Sequence, residues 1–229
     1  MGGFDRGLEA MDNKRIDERV TVVVAGDPAI ANALRSLRSD EIDVVAHAST
    51  GNEAVTRVLT DLPDVLLLDI WIVEPDAGAV CRRIRQWAPA TKVVAVTSLD
   101  DENAYTTAVA GAIGAVFLAD DDTTMSLGIQ RVARGEAVLL SRVALRLLHD
   151  VEAWAMRSAD PIYPPPTLKA TDSEVLRRIG EGVDSEAIAT SHGVTSHLVN
   201  RHAGFAVAKL HRYVHGTERI VAESQRPER

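Results

Sequence analysis

Two groups of side chains in this 229-residue chain stand where chemistry could be done. The first lies at the ends of two apolar runs: "VTVVVA" (20–25) gives way to Gly26, Asp27 and Pro28, and "DVLLLD" (64–69) ends on Asp69. Open α/β sheets bind ligands in the crevice at the carboxyl ends of their strands, where the strand order reverses. Asp69 is therefore expected to point into a crevice floored by Ala25, Gly26 and Asp27. Asp27, beside Pro28, is better suited to capping a following helix than to sharing a ligand. The second group lies in "TSHLVNRHAGFAVAKL" (195–210). Asparagine can make paired hydrogen bonds to adenine and arginine to guanine, so Asn200 and Arg201 are suited to reading base edges.

These groups need a frame to hold them. Five short apolar runs are expected strands: 20–25, 43–48, 64–69, 92–97 and 114–119. Helical spacing fills 28–38, 51–60, 77–87, 101–111 and 122–134. Strands that are apolar throughout, alternating with helices, indicate a doubly wound α/β domain with a parallel sheet covered on both faces. "EAVLLSRVALRLLHDVEAWAMRSA" has helical spacing, and "DPIYPPP" (160–166) forms a stiff spacer after it. Beyond the spacer, "TDSEVLRRIGEG" opens with Thr171 or Asp172 as N-cap and closes at Gly182. A short helix in "DSEAIATSHG" ends at Gly193, and a third is capped by Thr195 or Ser196. Two short helices joined by a tight turn make a helix-turn-helix, and a fourth helix is expected near 217–224. The expected division is a tail over 1–19, an α/β domain over 20–138, a linker helix and Pro-rich linker over 139–167, and an all-α domain over 168–229.

Composition narrows the partners. The first 167 residues carry 16 Lys+Arg against 25 Asp+Glu, and residues 168–229 carry 9 against 8 with five of the seven histidines. That asymmetry points to two modules with different partners. The near-neutral tail weakens a nucleic-acid reading made from charge alone. No apolar run approaches the ~18 residues of a membrane span, the polar opening is no secretory signal, and the lone Cys81 suits core packing in a reducing cytoplasm. No nucleophile–base set or phosphate-cradling loop indicates an enzyme. His192, His197, His202, His211 and His215 lack the paired spacing of a zinc site. The triplet Asp120–Asp122 suits a helix N-terminus.

Taken in order, "PDVLLLD", "TKVVAVTSLDDE", "AGAIGAVFL", "VARGEAVLLS", "EVLRRIGEG" and "AIATSHGVT" resemble a response-regulator receiver followed by a LuxR-type helix-turn-helix, the arrangement of the NarL/FixJ class. The resemblance implies a flavodoxin-like sheet of order 2-1-3-4-5. It makes Asp69 the match of the family's phosphoacceptor and Thr97 the match of its hydroxyl sensor. The acidic pair that holds Mg²⁺ in the family falls at Ala25 and Gly26, the lysine at Leu118 and the switch aromatic at Ala115. Phosphoryl transfer to a carboxylate needs a cation to offset the gathered charge, so Mg²⁺ binding and phosphorylation of Asp69 are not expected. The loop "IWIVEPDAG" is one residue longer than the family pattern, and Trp71 either fills the metal's space or packs on the surface.

For the second domain the resemblance makes 195–210 the groove-entering helix. His197, Asn200, Arg201 and Gly204 would face outward, while Val199, Ala203, Ala206, Val207 and Leu210 pack inward. Thr195, His197, Lys209 and Arg212 would meet phosphates. Arg201 and Lys209 are few cations for such a helix, Gly204 costs it about 1 kcal/mol, and His202 fits a packing seam. The expected function is a cytoplasmic DNA-binding transcription regulator independent of phosphorylation. It would act as a homodimer or with a related regulator, with a small-molecule ligand as an open possibility, no membrane partner and no cofactor. The alternative is an interaction protein that pairs with a conventional regulator and binds DNA poorly alone.

Overall fold

The β-branched runs form a five-stranded parallel sheet in the order β2-β1-β3-β4-β5. Its strands are β1 (Val20–Ala25), β2 (Ile42–Ala48), β3 (Val65–Asp69), β4 (Lys92–Thr97) and β5 (Gly114–Phe117). The computed structural model describes residues 19–28, 41–97, 102–117, 120–157 and 167–224. The helix expected over 28–38, the Pro-rich stretch 160–166, the tail 1–18 and Leu118 lie wholly or mostly outside these residues. The remaining elements of the α/β unit are α1 (Gly51–Asp61), α2 (Ala77–Trp87), α3 (Glu102–Ala110) and α4 (Asp122–Ala133). A helix α5 (Ser141–Arg157) leads on to α6 (Ala170–Gly180), α7 (Ser185–His192) and α8 (Ser196–Ser224).

The period of two along each strand divides the core into two faces. Val23, Leu66, Leu68, Val93 and Ala95 pack with α1 and α2 residues such as Val58, Val80 and Ile84. Val22, Val24, Leu67, Val94 and Val96 pack with Met125, Ile129 and Val132 of α4. Cys81 is fully buried among apolar neighbours, and burial pushes its thiol up to about 12. Helix starts follow local chemistry: Thr50, Asp76, Asp121 and Asp184 cap their helices by accepting from Glu53, Ala79, Thr124 and Ala187 N–H groups. Asp121 and Asp122 therefore open α4, as the macrodipole favours. The hydrogen bonds from the Thr124 N–H and hydroxyl hold the Asp121 carboxyl below its ordinary value.

Two expected boundaries are corrected. The helix assigned to Thr171 or Asp172 begins at Ala170 with Lys169 as its cap. Asp172 sits at the third helical position and reaches back to accept the Lys169 N–H at 3.4 Å. The separate helix near 217–224 is not formed, because α8 runs unbroken for 29 residues. No proline interrupts that stretch, and its two interior glycines, Gly204 and Gly216, cost only about 1 kcal/mol each.

The apolar core does not stop at the sheet. It continues through Leu140, Val143, Leu147 and Val151 to Val175, Ile188, Val199, Ala203 and Val207. The segment joining α4 to α5 lies along the sheet edge, where Ala115 N–H donates to Val138 O at 2.8 Å. Gly180 lets α5 and α6 approach: a Cβ there would come within 2.3 Å of Leu145.

Candidate functional site

The crevice residues converge as topology requires. Ala25 lies beside Leu68 in the β1–β3 register, and Asp69 lies beside Val96, one residue before Thr97. Asp69 is buried, and its Oδ1 accepts the Trp71 N–H at 2.9 Å. Thr97 is buried at the end of β4. Gly26 donates its N–H to Ala48 O and lies hard against Asp69, where a Cβ would stand 2.7 Å from Asp69 Cβ and 3.2 Å from its Oδ2. Ala25 is fully buried in the core, Ala115 is buried on β5, and Asp27 is exposed. Trp71 is 62% exposed, so it projects into solvent and does not fill the crevice.

These residues do not fit a divalent cation. Mg²⁺ requires several oxygen ligands in near-octahedral geometry. Neither Ala25 nor Gly26 offers a side-chain oxygen, and the space beside Asp69 where one could stand is filled by packing. Among the described residues no group of three or more His, Cys, Asp or Glu side chains is gathered to hold a metal.

The helix-turn-helix is built by α7, a tight turn at Gly193 (φ 65°) and α8, whose first turn is capped by Thr195 Oγ1 accepting from Leu198 N–H at 3.3 Å. Val199, Ala203, Ala206, Val207 and Leu210 are all buried as the inward stripe. The outward face departs from expectation. Asn200 is only 5% exposed and donates through Nδ2 to Glu136 Oε2 at 3.1 Å. His197 donates through Nδ1 to Glu136 Oε1 at 2.9 Å, and Arg134 Nε donates to that oxygen at 3.1 Å. The Ala137 N–H donates to Asn200 O at 3.1 Å. Gly204 packs on the same segment, where a Cβ would come within 2.8 Å of Gly135 O. The physical reason is Glu136: its carboxylate is 98% buried, and a buried charge must be met by donors. His197 and Asn200 supply them, so both face the α4–α5 segment. Arg201 stays half-exposed over the Phe205 ring at 5.7 Å.

Lys209, expected at a phosphate, is engaged inside its own domain. Its Nζ donates to Asp172 Oδ2 at 2.8 Å, and His202 Nδ1 meets Asp172 Oδ1 at 2.9 Å. Burial alone would raise the Asp172 carboxyl, but these two hydrogen bonds outweigh it and hold it below the usual range. His202 is thus a seam residue. Further along, His211 Nε2 donates to Ala108 O of α3 at 2.6 Å, and burial pushes the imidazole down to about 4. The rings of Trp154 of α5 and Tyr213 of α8 meet at 5.3 Å, tilted by 38°, and Tyr105 of α3 donates to Asp150 of α5.

Sequence reasoning missed Glu136, read Asp172 only as a helix cap, and named His211 only among the histidines without zinc spacing. The one available signal for Glu136 was an acid set in the otherwise apolar "GEAVLL".

Residues 21–118 match the family model of the response regulator receiver domain. The oxygen regulatory protein NreC of Staphylococcus epidermidis is 27% identical over 199 residues, covering 82% of this chain and 90% of that protein. NreC of Staphylococcus aureus is 27% identical over 195 residues. The chain carries a response regulator receiver domain and is similar over most of its length to response regulators of the NarL/FixJ class. The fold agrees: a LuxR-family two-component response regulator from Aurantimonas sp. SI85-9A1 superposes with a TM-score of 0.52 at 23% identity, covering 58% of this chain and 98% of that one. In this chain the start of the second helix of the helix-turn-helix is docked on the receiver side, and no described helix is long and apolar enough to cross a membrane.

Proposed function

We propose that this response regulator is a cytoplasmic, DNA-binding transcription regulator whose receiver controls access to DNA without a phosphoryl signal. One observation carries the reading: His197, Asn200 and Gly204, the residues suited to the groove, are covered by Gly135, Glu136 and Ala137. A helix entering the major groove must present its first turns, so the closed arrangement has to open before Asn200 and Arg201 can meet bases. Opening presents Asn200 for adenine and Arg201 for guanine, with Thr195 at a phosphate. Two copies would then bind matched half-sites, as a homodimer or with a related regulator. The second reading, an interaction protein that binds DNA poorly alone, is favoured by the engagement of Lys209 with Asp172, which leaves α8 few free cations. Loss of phosphoryl switching is supported by the filled space beside Asp69.

Selection of duplexes from a random pool by the full chain, followed by titration of parent and Arg201→Ala, tests this. Arg201→Ala should cost about 1–3 kcal/mol on the selected site and relax one base position. Acetyl phosphate with Mg²⁺ should change neither the intact mass nor the affinity. Failure to select any sequence would promote the interaction reading. A stoichiometric phosphoryl gain that vanishes in Asp69→Ala would overturn the loss of phosphoryl switching.

A further inference from the structure

We propose that the cavity between the receiver and α8 is a binding site for a small apolar molecule carrying one anionic group, and that its occupant holds the regulator closed. The cavity has a volume of about 310 Å³, the size of a small-ligand site. One wall belongs to α2 and the sheet, with Ile84, Val93 and Ile113; the other belongs to α8, with Phe205 and Val207. These surfaces suit an apolar body.

The charge of the lining is one-sided. Arg85 and Lys92 are both at the cavity, and none of its fifteen lining residues is acidic. Lys92 makes no ion pair or side-chain hydrogen bond among the described residues. The other polar groups have structural duties: Arg85 Nη1 donates to Ala110 O at 3.2 Å, Thr91 Oγ1 to Pro63 O at 2.7 Å and His211 Nε2 to Ala108 O at 2.6 Å. A carboxylate or similar anion would satisfy the half-buried Lys92 beside Arg85, through charge-assisted hydrogen bonds stronger than neutral ones. The Cys81 thiol is fully buried and un-ionised, so binding is non-covalent.

Because the two walls come from the receiver side and from α8, the site is whole only when they are docked. A ligand that binds one state alone stabilises that state by mass action, and the coupling is reciprocal. Ligand and DNA therefore oppose each other. This consequence rests on the DNA-binding reading above, whereas the binding step does not.

The test is calorimetry on the full chain with benzoate and indole-3-acetate as probes and neutral indole-3-acetamide as the comparison. At least one carboxylate should bind saturably, one per chain, and the amide about tenfold more weakly than its acid. Lys92→Gln should weaken carboxylate binding about tenfold. Ala208→Trp, at an exposed helical position on the cavity's mouth, should abolish it. Lys92→Gln serves if the tryptophan disturbs folding. No saturable binding by either carboxylate at millimolar concentration, equal binding of acid and amide, or full binding by Lys92→Gln would overturn the site. Binding with unchanged affinity for the selected duplex would uphold the site and overturn the coupling.

Discussion

Gly26 and Asp69 illustrate how a single close approach decides what a crevice can do. Gly26 was matched by resemblance to an acidic position, and its missing side chain is the space that Asp69 occupies. Restoring an acid by substitution therefore does not restore a metal site. Gly26→Asp would drive a Cβ into Asp69 Cβ, an atom close to the backbone that cannot swing away, and would bring two carboxylates together. The expected outcome is destabilisation of roughly 1–3 kcal/mol, the usual cost of overpacking, read from the urea midpoint at constant m-value. A variant as stable as the parent that also takes up a phosphoryl group from acetyl phosphate and Mg²⁺ would show that β1 and β3 can part to admit the metal.

At the scale of elements, the contact of α8 with the α4–α5 segment depends on Gly204. In an isolated helix an alanine there would gain about 1 kcal/mol. In the docked form its Cβ would meet Gly135 O at 2.8 Å, and main-chain atoms do not move aside cheaply. Gly204→Ala should therefore strengthen the helix and weaken the docking. The Ala137 amide, which donates to Asn200 O, reports the docking directly. Its hydrogen exchange should accelerate by roughly tenfold, as expected for an overpacking cost near the low end of its range. Unchanged exchange would mean that the segment at Gly135 yields without releasing the helix. Glu136 works at the same seam: it holds His197 and Asn200 together, and losing either donor leaves part of a buried carboxylate unmet.

For the whole molecule, the docked arrangement carries its own pH dependence. His211 meets Ala108 O across the two units and is held neutral, with its pKa lowered from 6.5 to about 4 by burial. An undocked His211 regains an ordinary value and takes up a proton in the window where the docked one does not. Closed-state stability from this group is therefore full above about pH 6.5 and declines as the pH falls towards 4. Small-angle scattering should show the radius of gyration rising as the pH is lowered from 7 to about 5. His211→Gln keeps a donor for Ala108 O but does not titrate, so the rise should be smaller in that variant. An identical rise in both would assign the pH response to other groups.

Much of this architecture was readable from local pattern. The all-apolar strands, their alternation with helices, the acidic triplet at the start of α4, and Gly193 at the turn each depend on residues within a few positions of one another. So does the inward stripe from Val199 to Leu210, because a period near 3.6 marks the buried side of a helix. Asp69, Ala25 and Gly26 were also placed in advance, since the strand order sets which strand ends adjoin. What local pattern could not settle was the outward face of α8. Its partner Glu136 lies 61 and 64 positions away from His197 and Asn200, and Asp172 lies 37 away from Lys209. An asparagine or lysine on a helix surface looks the same in sequence whether it faces solvent, a base edge or a buried carboxylate. Only the packing of distant segments, which buries one charge and obliges particular donors to meet it, chooses among those surroundings.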